Sequence, residues 1–241
     1  MSKKNIINII SSILLIILFI ISIYNINNKL TATDAIKFKM EYESINNKTR
    51  EKDGKKIRKL SIPTDNPFIY KSEDELIEMI NNKETFIVYF GFNDCPWCRS
   101  IVPSLINAAK DLNLDKIYYV DVKNIRDTLE LDENNNVITS KKSSKSYYKL
   151  VNLLDNVLDD YILTSENGEE INTGKKRIYA PNIVSIKNGK ALEMKTGISE
   201  DQTDPYMKLT KKMKNDSYNA FKCSIKCITE NKNICSNKTA C

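Results

Sequence analysis

The sequence predicts an α/β domain with a helical insertion, carried behind one N-terminal transmembrane helix. Three observations lead there. Residues 5–24 (NIINIISSILLIILFIISIY) hold no charge. A strand–helix–strand pattern occupies 85–122, and two further strand-like runs flank Asn188-Gly189.

Composition narrows the function classes. The 241 residues carry 37 Lys+Arg against 31 Asp+Glu, a net charge of +6, and 41% are hydrophobic; such a chain is neither disordered nor collagen-like. With no histidine, Ser-His and Cys-His nucleophilic machinery, imidazole metal sites and histidine bases are excluded. The basic excess is scattered among acidic residues rather than clustered, so nucleic acid is not an expected partner.

Taken in order, the twenty residues 5–24 match, at 1.5 Å per residue, a hydrocarbon core of about 30 Å. A cleaved signal peptide is the competing reading, but the run exceeds the usual apolar region of about 7–15 residues and no A-x-A-like site follows. The expectation is a membrane anchor over 1–24, single-pass in the cell membrane. Lys3 and Lys4 on one side face Lys29, Lys37 and Lys39 on the other, so charge does not orient it. The cysteines do: none precedes Cys95, and Cys223, Cys227, Cys235 and Cys241 crowd the C-terminus. An even terminal set implies structural disulfides, of undetermined pairing, in an oxidising compartment, hence an extracytoplasmic domain. The competing zinc cluster fits those spacings poorly, and no metal or cofactor is expected.

Residues 25–60 read as a polar spacer with one short helix, 61–217 as the folded domain and 218–241 as a basic, Cys-rich tail. Ser72 and Glu75 form a capping box ahead of Leu76, Ile77 and Ile80. The run 85–92 (TFIVYFGF) suits a strand buried on both faces. Residues 95–112 have helical spacing through Ile101, Leu105, Ala108 and Leu112, and 116–122 (KIYYVDV) is a second strand, which completes a βαβ unit. The stretch 123–178 is an insertion: Tyr147, Leu150, Val151, Leu154, Val157, Leu158 and Tyr161 recur at helical spacing, and Asn167-Gly168 closes a hairpin after them. That helix face is expected to pack on the sheet, with substrate binding as the competing role. Asn188-Gly189 marks a second hairpin, and Asp204-Pro205 is read as the start of a last helix with Tyr206, Leu209 and Met213 on one face.

Cys95-Pro96-Trp97-Cys98 stands where the first strand of the βαβ unit turns into its helix. Cysteines at i and i+3 on a first helical turn can reach disulfide distance. The helix N-terminus favours thiolate at the first of them. A lone C-x-x-C is also half a zinc site, and pairing it with the tail cysteines is a competing metal reading.

With Pro103 five residues after Cys98, Ala180-Pro181 ahead of NIVSIKNGK, and Gly197 eight residues after Gly189, the chain resembles the thioredoxin family over roughly 70–122 and 178–217. The resemblance implies a central mixed sheet flanked by helices, and a cis peptide at Pro181 opposite the dithiol. It further implies Cys95 as attacking thiolate, Cys98 as resolving thiol, Ala180 and Pro181 as a backbone platform for an extended client, and protein disulfides or a redox partner protein as partners. Trp97 is then either an exposed aromatic platform or a ring folded onto the domain. Two departures bear on the chemistry. Asp94 stands where the family has Trp, a carboxylate that opposes the Cys95 thiolate and that Arg99 is expected to offset. Tyr89 replaces the family's buried acid. The function expected is a membrane-tethered thiol-disulfide oxidoreductase acting on extracytoplasmic proteins, with reductase or isomerase poise; the competing class is a redox-weak accessory module for a secretion or peptide-export system.

Overall fold

A computed structural model describes residues 12–19 and 33–230. Residues 12–19 are helical with the side chains of Ile13 to Phe19 exposed. The rest of the expected 5–24 span lies outside the described residues, and among these no helix is long and apolar enough to cross a membrane.

Helix α1 (Asp34–Glu43) begins at Thr33, whose hydroxyl accepts the Ile36 N–H at 3.3 Å. It is the short helix expected in the spacer, yet residues 33–60 are not a spacer. Phe38 and Tyr42, one turn apart, are wholly buried, and the Phe38 ring stacks on Phe68 with centroids 3.9 Å apart. A three-residue strand absent from the sequence reading follows, β1 (Phe68–Tyr70). Helix α2 (Glu73–Asn81) starts at the expected capping box: Ser72 accepts the Glu75 N–H, and the Glu75 carboxylate accepts the Ser72 N–H at 2.8 Å.

Strand β2 (Phe86–Gly91) is buried along its whole length. Helix α3 (Pro96–Asp111) and strand β3 (Ile117–Asp121) follow, and β3 pairs parallel to both β1 and β2, so the expected βαβ unit is present. The insertion holds more than one helix. Strands β4 (Thr128–Leu131) and β5 (Val137–Lys141) form a hairpin that the sequence reading missed. Helix α4 (Lys145–Leu154) buries Tyr147, Leu150, Val151 and Leu154. Strands β6 (Asp160–Thr164) and β7 (Glu170–Lys176) then pair around Asn167-Gly168 as expected. The apolar face of α4 joins the main core together with the sheet residues, and it packs against α2. Ser144 and Ser146 pin it there, donating to Glu73 at 2.7 Å and Asp74 at 2.6 Å.

Strands β8 (Asn182–Lys187) and β9 (Lys190–Lys195) are the second expected hairpin, with Asn188 and Gly189 at φ 52° and 72°; two consecutive positive φ angles are what a two-residue hairpin turn of the right twist requires. Strand β8 runs antiparallel to β2, and the mixed sheet has the order β1-β3-β2-β8-β9. Helices flank it.

The last helix is displaced from its expected start. Asp204 and Pro205 open a turn instead, in which the Asp204 carboxylate accepts the Tyr206 N–H at 2.8 Å; aspartate satisfies its own backbone two residues on as readily as it caps a helix. Helix α5 (Lys211–Thr229) begins at Thr210, whose side chain accepts the Met213 N–H. It runs through the expected boundary between domain and tail. Met213, Phe221, Ile225 and Ile228 are buried, and α5 packs against α3 and across β2, β8 and β9. One face of residues 218–229 therefore belongs to the core. Gly197, with φ 68°, makes room for this helix: a Cβ there would lie 1.9 Å from the Phe221 ring.

Candidate functional site

Cys95 is the N-cap of α3, and Pro96 occupies the first helical position, where its missing N–H costs nothing. The Cys95 Sγ accepts the Cys98 N–H at 3.4 Å. It therefore takes the place of the usual capping oxygen and sits in the positive end of the helix dipole. Both cysteines are free thiols. They are unequal: the hydrogen bond from the Cys98 thiol, backed by the N–H groups of Cys98 and Trp97 and the charge of Arg50, holds the Cys95 thiol below its ordinary value against the opposing effect of burial. Burial, then the neighbouring Cys95, pushes Cys98 well up. One sulfur is prepared as a thiolate and the other is kept protonated. Cys95 is 4% exposed and Cys98 not at all.

The opposite wall comes from a segment 85 residues away in the chain. The peptide Ala180-Pro181 is cis, and the Cys95 thiol lies 3.4 Å from the Ala180 carbonyl, to which it donates when protonated. The fold thus brings Cys95, Cys98, Ala180 and Pro181 together. Trp97 is half-buried and packed against the core, nearer the second of its two expected placements, a ring folded onto the domain.

The charges around the sulfurs differ from expectation. Asp94 is ion-paired with Lys123 at 2.8 Å, which removes much of its opposition to the thiolate. Arg99 offsets it in part, since its charge and that of Asp94 attract, but its hydrogen bonds go elsewhere. Its guanidinium, 1% exposed, donates to the Arg58 carbonyl (2.7 Å), the Tyr42 carbonyl (2.9 Å), the Asn93 carbonyl (3.0 Å) and Asn46 Oδ1 (2.7 Å). It ties α1 and the loop after it to the turn that carries Cys95. The cations that do face the sulfurs went unread in the sequence. Arg50, on the loop after α1, is held by Asp53 at 3.0 Å, and Asp53 also accepts from the Tyr206 hydroxyl. Arg126 lies over the Phe92 ring, 5.5 Å from its centroid, and senses both cysteines. No local pattern distinguishes these two arginines from the other charged residues of their loops. A groove of about 620 Å³ is lined in part by Ile45, Arg50, Ile57, Lys123 and the two residues that precede Cys95, Asn93 and Asp94.

No protein-family model matches the chain, and no curated protein does.

Cys223 and Cys227 lie in α5, away from this constellation, and both are disulfide-bonded; Cys235 and Cys241 fall outside the described residues. Bound in that way, Cys223 and Cys227 are not available to complete a metal site with Cys95 and Cys98. Among the described residues no three Cys, Asp or Glu side chains gather as metal ligands would.

Behind the dithiol, Tyr89 is wholly buried; its hydroxyl interacts with the Cys98 thiol and lies 3.0 Å from that of Tyr42.

Proposed function

We propose that this chain is a membrane-tethered, thioredoxin-like thiol-disulfide oxidoreductase that exchanges disulfides with extracytoplasmic proteins. One observation carries the reading: a thiolate-favouring cysteine caps a helix 3.4 Å from the backbone carbonyl that precedes a cis proline, with a buried second thiol one turn behind it. The mixed sheet order and the βαβ unit that bears the motif agree with a thioredoxin-like domain. The exposed apolar helix at 12–19 supports the tether, and the disulfides of Cys223 and Cys227 support an oxidising compartment.

In the reducing direction, the Cys95 thiolate attacks one sulfur of a client disulfide; the client S–S bond breaks, the second client sulfur leaves as thiolate, and a Cys95–client disulfide forms. Cys98 then loses its proton and attacks the Cys95 sulfur. The first client sulfur leaves, and the Cys95–Cys98 disulfide forms as the client gains two electrons. The client reaches the site through the groove beside Asn93 and Asp94, its extended backbone against Ala180 and Pro181.

Reduction of insulin disulfides tests this reading. The full chain is expected to accelerate precipitation of the freed insulin chains and Cys95→Ser to lose that acceleration; equal rates for the two would end it. The 4% exposure of Cys95 favours a second reading, an accessory module with one dedicated partner. Trapping by Cys98→Ser separates them: an enzyme accumulates mixed disulfides with several proteins, an accessory module with one at most.

A further inference from the structure

A resolving thiol must lose its proton as it attacks, and Cys98 is sealed from water. The groups around it that can move a proton are tyrosines. The Tyr89 hydroxyl neighbours the Cys98 thiol, and Gly91 leaves room for it, since a Cβ there would fall 2.2 Å from that oxygen. The Tyr89 hydroxyl is 3.0 Å from that of Tyr42, and the Tyr42 hydroxyl interacts in turn with that of Tyr119. Tyr119 donates to Glu41 Oε1 at 3.4 Å, and Tyr70 donates to Glu41 Oε2. The rings are locked: Tyr89 and Tyr119 stack at 5.5 Å, and Tyr42 and Tyr119 meet edge-on at 6.3 Å. Glu41, half-buried on α1, is the end of this line.

We propose that Tyr89, Tyr42 and Tyr119 relay the proton of Cys98 to the Glu41 carboxylate while Cys98 resolves the mixed disulfide. The proposal rests on the thiol-exchange reading above. As the Cys98 electron pair forms the S–S bond to Cys95, its proton passes to the Tyr89 oxygen, each hydroxyl hands its own proton onward, and Glu41 is protonated; the client leaves as thiolate, and no tyrosine changes charge. Burial raises the Glu41 carboxyl above its ordinary value, as does Asp121 on β3, while the hydrogen bonds from Tyr70 and Tyr119 and the charge of Lys37 pull it down. The net rise makes it a better acceptor. In this relay Tyr89 is the group that takes the proton from the reacting thiol, and Tyr42, Tyr119 and Glu41 act through it.

Rapid mixing of the reduced full chain with dithiobis(nitrobenzoate) tests the relay. The first released thiolate reports attack by Cys95 and the second reports resolution by Cys98. Reagent is kept high enough that the first phase outruns the second, and the trace of a variant carrying both Cys95→Ser and Cys98→Ser is subtracted. In the native protein the second phase speeds up as pH rises through the Glu41 titration. Tyr89→Phe and Glu41→Gln are expected to slow it tenfold or more, within the range by which general acid–base groups act, and Glu41→Gln to abolish that low-pH inflection, which a structural role would leave in place. If Tyr89→Phe fails to fold, Glu41→Gln decides alone. A second phase with native rate and pH profile in Glu41→Gln overturns the relay only; the lack of any first phase in the native protein overturns the exchange reading and the relay with it.

Discussion

Replacing Arg99 by methionine is expected to destabilise the protein by about 3 kcal/mol and to loosen the cover over Cys95. The guanidinium makes four hydrogen bonds of 2.7–3.0 Å with 1% exposure. Methionine keeps the packing of the stem but takes the guanidinium away from four acceptors, of which Asn46 Oδ1 keeps the Leu60 N–H at 2.9 Å. Two of them, Asn46 Oδ1 and the Arg58 carbonyl, belong to partly exposed residues and can take water. The carbonyls of buried Tyr42 and half-buried Asn93 have less recourse. An unsatisfied buried acceptor costs about 1–3 kcal/mol, so these two give roughly 2–6 kcal/mol; recovering the desolvation of a buried cation offsets part of that, which leaves about 3. At a urea m-value of about 2 kcal/mol/M the midpoint falls by about 1.5 M. Arg99→Lys, with the charge but not the fork, should fall by about half as much. Because the same side chain anchors the loop that bears Arg50, alkylation of Cys95 should be faster in Arg99→Met than in the native protein. A midpoint shift below about 0.3 M with unchanged alkylation would refute this account of Arg99.

Three further outcomes are expected. Gly197→Ala should cost at least about 2 kcal/mol by urea unfolding, since it combines a left-handed backbone with a Cβ driven into the Phe221 ring; a near-neutral effect would mean that α5 does not pack here. Glu75 is held down to about 2 by Lys71 and the Ser72 cap. A carboxylate lowered in the folded state adds stability above its unfolded value, lost as pH falls through the folded one, so Glu75→Gln should cost about 0.5 kcal/mol at neutral pH for this half-exposed pair, and nothing below about pH 2. Iodoacetamide alkylation followed by peptide mapping should modify Cys95 before Cys98, with an inflection below the ordinary thiol value of about 8.5. An inflection at or above it contradicts the helix-terminus argument.

How much of this was legible in the sequence depends on how each element declares itself. Strand β2 announces itself by an unbroken apolar run, and α2 by its capping box. The dithiol and Pro181 were readable because their residue types have few other uses, and the fold brings Cys95 to the Ala180 carbonyl that precedes the proline. The core role of helix α1 hid because only two of its ten residues, Phe38 and Tyr42, are buried, and charged side chains surround them. Helix α5 hid in the same way, its buried Phe221, Ile225 and Ile228 diluted by lysines and cysteines that suggested a tail. The hydrogen bonds of Arg99 went unread because its acceptors are mostly backbone carbonyls from three separate segments, which leave no mark in sequence. Glu41 and the tyrosines are joined only by the packing of α1 across β1, β2 and β3.

The central claim is sulfur exchange through Cys95, and intact-mass analysis of the Cys98→Ser full chain after incubation with a disulfide-bonded peptide tests it most directly. The account predicts one added peptide chain, removed by dithiothreitol, mapped to Cys95 and absent when Cys95 is also replaced by serine. No adduct, or an adduct on any residue other than Cys95, would contradict it.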